Sequence, residues 1–331
     1  MKRWTLVAVA ACALALPGVA AAQDGFDGIV VFGTSLSDPG NAFALVGGTN
    51  TPPDWSVDPF LVPDRPYAKG GHHFSNGATW IEQLARSLGH PASAQPAFRG
   101  ADPGATNYAV GGARARDVGT GVNLSRQVGV FLRDFRGAAP SGALYVIEIG
   151  SNDVRDALQA AAGAENPAAA LAAATAVITP ALGAIGHHIT ALYSAGAERG
   201  EGARKFLLWN VPDIGLTPAA RVLDGAVPGA AANARLLTQI FNSELDRLLM
   251  ALARGLPGIE IARLDVHGKL NEVVADPAAF GLSNVQAACI TPGAAPFQCK
   301  APDTFLFWDG IHPTRAAHAI LAREAAAVLA Q

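Results

Sequence analysis

Short apolar runs recur along the chain at residues 28–32, 143–149, 205–211 and 259–266, each with a Gly or Pro at one border. Runs of this length and composition predict strands buried on both faces. Between them the apolar positions fall into a helical period at 79–88, 124–136, 167–196, 230–254 and 315–330. Strand and helix in alternation predict a parallel sheet covered on both faces by helices. Ligands of such sheets bind outside the carboxyl ends of the strands, where the connecting loops diverge. Chemistry is therefore to be sought after Phe32, after Ile149, and after Val110 if residues 106–110 form a further short strand.

The segment 47–76 is rich in Pro, Gly, Asp and aromatic residues and has no period. It reads as a long loop over the site, ordered by its own packing, with a plain surface excursion as the alternative.

The amino terminus changes the picture. Lys2 and Arg3 precede an apolar run from Leu6 to Leu16 and then Pro17-Gly18-Val19-Ala20-Ala21-Ala22, the three parts of a secretory signal peptide. The run is shorter than the ~20 apolar residues of a membrane anchor. Residues 1–22 are thus expected to be a signal peptide and residues 23–331 one catalytic domain, with no linker or internal repeat to divide it. The Ala-rich region after Pro167 carries Pro180, Gly183 and two adjacent histidines, so no integral membrane segment is expected in the mature chain. With Gln331 directly after the last predicted helix, no membrane β-barrel is expected, and a periplasmic or secreted protein is the expectation.

Charge and cysteine usage fit export. The 24 basic residues less Lys2 and Arg3, against 27 acidic ones, leave a formal charge of −5, which offers nothing to nucleic acid. Cys289 and Cys299, ten residues apart in a Pro/Gly-rich stretch, suit a local disulfide in an oxidising compartment; two free thiols are the alternative.

Nucleophilic ester chemistry needs a hydroxyl beside a base, an acid to orient the base, and donors where negative charge develops. In Phe32-Gly33-Thr34-Ser35-Leu36-Ser37-Asp38 a strand runs into a glycine and a serine follows on the turn, although a helix cap would also use Ser there. In Trp308-Asp309-Gly310-Ile311-His312-Pro313, Asp and His three residues apart can set a carboxylate on the imidazole Nδ1. Pro313 is expected at the first position of the following helix. Gly111-Gly112 and Gly150-Ser151-Asn152-Asp153 also follow apolar runs and could supply oxyanion donors; singly they are ordinary turns.

Taken together these blocks resemble the GDSL, or SGNH, esterases and lipases. Phe32 to Asn41, Gly111-Gly112, Gly150 to Asp153 and Asp309 to His312 correspond to its four blocks in order, with further similarity at Arg65-Pro66-Tyr67, Phe74-Ser75-Asn76-Gly77 and Asn210-Val211-Pro212-Asp213. The resemblance implies a three-layer α/β/α sandwich with a parallel, flavodoxin-like sheet. It implies Ser35 as nucleophile, His312 as base and Asp309 as its orienter. The oxyanion hole would join the N–H groups of Ser35 and Gly112, with Gly111 as the alternative, to the Asn152 side chain. It also implies a carboxylic ester hydrolase acting on small-molecule or lipid esters, with no cofactor. One departure stands out: the Asp of the name-giving Gly-Asp-Ser-Leu is Thr34.

Competing chemistries lack their signatures. No Gly-x-Ser-x-Gly or Gly-x-Gly-x-x-Gly is found at the strand ends, and neither His72-His73 nor His187-His188 has the spacing of a zinc site, so no metal is expected. Glu148 and Asp153 have no evident partner acid for glycoside hydrolysis, and Asp153 is expected to stabilise its own turn. Two readings remain beside the esterase: a carbohydrate O-deacetylase of the same fold, and a non-catalytic exported binding protein.

Overall fold

A computed structural model describes residues 25–331 apart from 56–58 and 101. The expected signal peptide lies outside the described residues.

Four strands form the central sheet: β1 (Ile29–Gly33), β2 (Leu144–Glu148), β3 (Lys205–Trp209) and β4 (Glu260–Leu264). They are parallel and lie in the order β1-β2-β3-β4. All four coincide with the apolar runs of the sequence. The segment 106–110 is not a strand, but it runs parallel along the free edge of β1, bridging at Val31 and Asn107 and donating from Tyr108 N–H to Val31 O at 2.8 Å and from Val110 N–H to Gly33 O at 3.1 Å. Counted as a fifth strand, it gives the order 2-1-3-4-5 of flavodoxin-like sheets.

Strand side chains alternate between faces, and the two faces build two cores. Val30, Phe32, Tyr145, Ile147, Phe206 and Leu208 pack on one side against α3 (Leu124–Asp134), α4 (Ser151–Ala162), α5 (Pro167–Ser194) and α7 (Ala230–Gly255). Ile29, Val31, Leu144, Val146, Leu207 and Trp209 pack on the other against α2 (Trp80–Ser87) and α9 (Arg315–Leu329), where Trp80 and Trp209 stack 5.2 Å apart. The result is the three-layer α/β/α sandwich that the resemblance implied.

The remaining elements are α1 (Asn41–Leu45), α6 (Pro218–Ala226), α8 (Val266–Ala275) and a two-stranded sheet of β5 (Asn284–Ala288) and β6 (Phe305–Phe307). Helices α4, α6 and α8 were not read from the sequence, where their apolar positions are few and the start of α4 resembles a turn. By length and composition alone α5 would suffice to cross a membrane. In the fold it buries Ile178, Ile185, Ile189 and Leu192 in the first core. Cys289 and Cys299 form a disulfide next to β5.

Candidate active site

Ser35 lies two residues beyond β1, on a turn that the neighbouring strand shapes. A Cβ at Gly33 would stand 2.9 Å from the backbone and side-chain oxygens of Glu148, so only glycine fits where β1 ends. Gly33 N–H donates to Gln127 (2.8 Å), Thr34 N–H to Glu148 (2.9 Å), Leu36 N–H to Thr34 Oγ1 (3.4 Å) and Ser37 N–H to Thr34 O (3.1 Å). Ser35 N–H, in the middle of this series, has no hydrogen-bond partner among the described residues.

The carboxyl-terminal block meets this turn across the top of the sheet. His312 Nε2 is 2.9 Å from Ser35 Oγ, and His312 Nδ1 is 2.7 Å from Asp309 Oδ2. The second oxygen of Asp309 accepts the backbone N–H groups of Ile311 (2.9 Å) and His312 (2.7 Å), which closes the four-residue turn and fixes the carboxylate under the imidazole. Both residues are buried. Helix α9 starts at Arg315, capped by the Thr314 side chain, so Pro313 lies before the cap and not at the first helical position.

Segment 47–76 packs on this block. Tyr67 donates its hydroxyl to Asp309 Oδ2 at 2.9 Å, Gly310 N–H donates to Leu61 O at 2.9 Å, and the Phe74 ring sits 5.3 Å from that of His312. Burial and the adjoining Asp309 carboxylate hold the Tyr67 hydroxyl well above its usual range, so it remains a donor. Sequence reasoning placed the loop over the site but gave Tyr67 no role.

Asp38 links the serine turn to the second block. It accepts from Gly40 N–H (2.8 Å), Asn41 N–H (2.6 Å), Ala42 N–H (3.0 Å) and Gly111 N–H (2.8 Å). Burial pushes its carboxyl up to about 6 against the pull of these donors. With the Gly111 N–H so committed, and a Cβ there barred by the Phe74 ring, Gly112 is the member of the pair whose N–H has no partner among the described residues. Asn152, in the first turn of α4, anchors its amide by donating Nδ2 to Ala113 O at 2.9 Å, which leaves the second amide hydrogen unused by that bond. Contrary to the expectation that it would stabilise its own turn, Asp153 reaches across to accept Ala115 N–H at 2.8 Å and so joins the third block to the second.

The histidine pairs lie elsewhere. His72 stacks on Phe43, His73 Nε2 pairs with Glu82 Oε2 at 2.8 Å, and His187 and His188 contact each other on α5. Among the described residues no group of three or more His, Cys, Asp or Glu side chains is arranged to hold a metal ion.

Residues 29–325 match the family model of GDSL-like lipases/acylhydrolases. A phosphatidylcholine-sterol acyltransferase of Aeromonas hydrophila is 25% identical over 98% of this chain and 96% of its own length. A GDSL esterase/lipase of Arabidopsis thaliana is 25% identical over 98% of this chain and 93% of its own. Another Arabidopsis GDSL esterase/lipase, 30% identical, matches over 37% of this chain and only 38% of its own length. A lipolytic G-D-S-L family protein of Veillonella parvula has a solved structure that covers 92% of this chain and 98% of its own, with a TM-score of 0.40 and 14% identity.

Proposed function

We propose that this chain, which belongs to the GDSL-like lipase/acylhydrolase family, is an exported serine esterase that works through an acyl-enzyme on Ser35. The observation that carries the reading is the unbroken relay from Ser35 Oγ through His312 to Asp309, at 2.9 and 2.7 Å. Export is supported by the signal-like first 22 residues.

In the proposed reaction Ser35 Oγ attacks the ester carbonyl while His312 Nε2 takes its proton, and Asp309 stabilises the imidazolium. The oxyanion would be met by the N–H groups of Ser35 and Gly112 and by the Asn152 amide. Collapse of the tetrahedral intermediate breaks the bond to the alkoxide, which leaves as alcohol with the His312 proton. Water, deprotonated by the same nitrogen, then attacks the acyl carbon and frees Ser35. The full-length relative named as an acyltransferase favours one variant of this scheme, in which an alcohol takes the place of water at the second step.

The test is covalent trapping. A fluorophosphonate displaced by the nucleophile loses fluoride and leaves the phosphonyl group on Oγ, so digestion should yield a single modified peptide containing Ser35, absent when His312 is replaced by Ala. Modification at another serine, or none on folded protein, would contradict the assignment.

A further inference from the structure

His73 is a buried histidine that the proposed reaction does not use. Both of its ring nitrogens face acceptors: Nδ1 lies 2.6 Å from Gly70 O and Nε2 lies 2.8 Å from Glu82 Oε2. A neutral imidazole carries one N–H and can serve only one of them, so the geometry asks for the imidazolium. Glu82 is committed to the start of α2, where it accepts the Thr79 backbone N–H at 2.8 Å and the Thr79 hydroxyl at 2.9 Å. Burial opposes both charges, but the contact between them outweighs it and holds His73 above its usual 6.5 and Glu82 below its usual 4.5. Three further groups face the pair. Asp38 of the serine turn favours the imidazolium, His72 is held below 6.5 by burial and Arg99, and His318 of α9, lowered to about 3 by burial, stays neutral within electrostatic reach of His73, Glu82 and His312.

The pair joins two pieces of the site. On one side is the strap of residues 67–76. The His73 carbonyl accepts Tyr67 N–H at 2.9 Å, and the Tyr67 hydroxyl reaches Asp309. Next along the strap, Phe74 sets its ring on His312, Ser75 donates its hydroxyl to Pro313 O at 2.8 Å, and Asn76 Oδ1 accepts Arg315 N–H at 2.7 Å. On the other side α2 is tied to the serine turn, Trp80 Nε1 donating to Ser37 Oγ at 3.0 Å. We propose that the His73–Glu82 ion pair is a positioning element for the reaction, holding Asp309 and His312 in register with Ser35, so that full turnover requires His73 protonated as well as His312 neutral. The inference rests on the serine-esterase reading and adds a pH response to it. The pair is complete at pH 6.5 and remains so on the acid side until Glu82 takes a proton, below 4.5. It is lost as pH rises through the raised His73 value, where the neutral ring gives up either Gly70 or Glu82.

The experiment follows kcat and KM for p-nitrophenyl butyrate between about pH 5 and pH 9.5 on the whole protein and on His73→Gln and Glu82→Gln, with thermal unfolding to check that each variant folds. Either variant removes the ion pair, and Glu82→Gln keeps an oxygen for the Thr79 donors. At pH 6 each should lower kcat by about tenfold to a hundredfold, the range for a small displacement of reacting groups, with KM little changed. The deficit of each should shrink toward nothing as pH rises, because the parent protein then loses the imidazolium too. A deficit that is constant with pH, as a merely structural role would give, or one carried by KM, would overturn the inference. Nuclear magnetic resonance of the His73 ring in Ser35→Ala reads the pair without turnover: its titration midpoint should lie above 6.5 and fall when Glu82→Gln is added. A midpoint below 6.5, or one that Glu82→Gln does not move, sinks the ion pair, whereas hydrolysis surviving Ser35→Ala sinks the nucleophile alone.

Discussion

Thr34 donates both its backbone N–H and its hydroxyl to the carboxyl group of Glu148, at 2.9 Å and at 2.9 to 3.0 Å. Glu148 is fully buried in the middle of the sheet, and burial pushes its carboxyl up to about 8 against the Thr34 donors and the nearby Ser37 hydroxyl. At neutral pH it is therefore held largely as the neutral acid. This pairing accounts for the one departure from the family pattern: an aspartate at position 34 would set a second carboxyl against Glu148, whereas threonine supplies the hydroxyl that satisfies it.

A pH dependence of stability follows. The folded-state value of Glu148 lies above the ordinary 4.5, so the folded form holds a proton that the unfolded form gives up. Its contribution is complete below about pH 4.5 and is lost as pH rises toward 8. Asp38 titrates in the same sense up to about 6, and His318, lowered to about 3 by burial, acts oppositely below about 6.5. Substitution isolates the Glu148 effect: Glu148→Gln should gain Tm relative to the parent protein progressively from pH 5 to pH 8. A constant difference across that range would show that Glu148 is not held neutral.

Tyr67 should act through Asp309. Tyr67→Phe keeps the ring, which packs edge-on to Trp308 at 5.7 Å, and removes only the hydroxyl that donates to the carboxylate. A hydrogen bond to a charged group is worth about 1.5–3 kcal/mol, so kcat should fall by about tenfold or more with KM little changed. Steady-state kinetics within twofold of the parent protein would leave Tyr67 a packing residue.

Asn152 should matter only in the transition state. Asn152→Ala is expected to lower kcat about 10²- to 10³-fold with little change in KM, the range for one oxyanion donor. A rise in KM at constant kcat would instead make Asn152 a residue for binding the ground-state ester.

The sheet was legible because its strands are short unbroken apolar runs, and the juxtaposition of Ser35, His312 and Asp309 could be anticipated because a strand-ending Gly-x-Ser and an Asp-x-x-His turn each suggest a mechanism of their own. What could not be read is long-range. Tyr67 and Asp309 are 242 positions apart, and nothing near Tyr67 announces its partner. Glu148 stands out as a charge within an apolar strand, but its meaning needs the register that sets Gly33 beside it. Asp153 was assigned to its own turn because local bonding is the commoner use of Asp; the fold spends it on the backbone of Ala115 instead. The choice between Gly111 and Gly112 likewise turned on Asp38, 73 positions from Gly111.

The most direct test of the central claim is hydrolysis of p-nitrophenyl butyrate by the protein and by its Ser35→Ala variant, with both shown to be folded. Removing the nucleophile of a serine hydrolase triad costs on the order of 10⁶ in kcat, so the variant should be indistinguishable from the uncatalysed rate while the parent turns over. Equal rates in the two proteins would contradict an acyl-enzyme on Ser35.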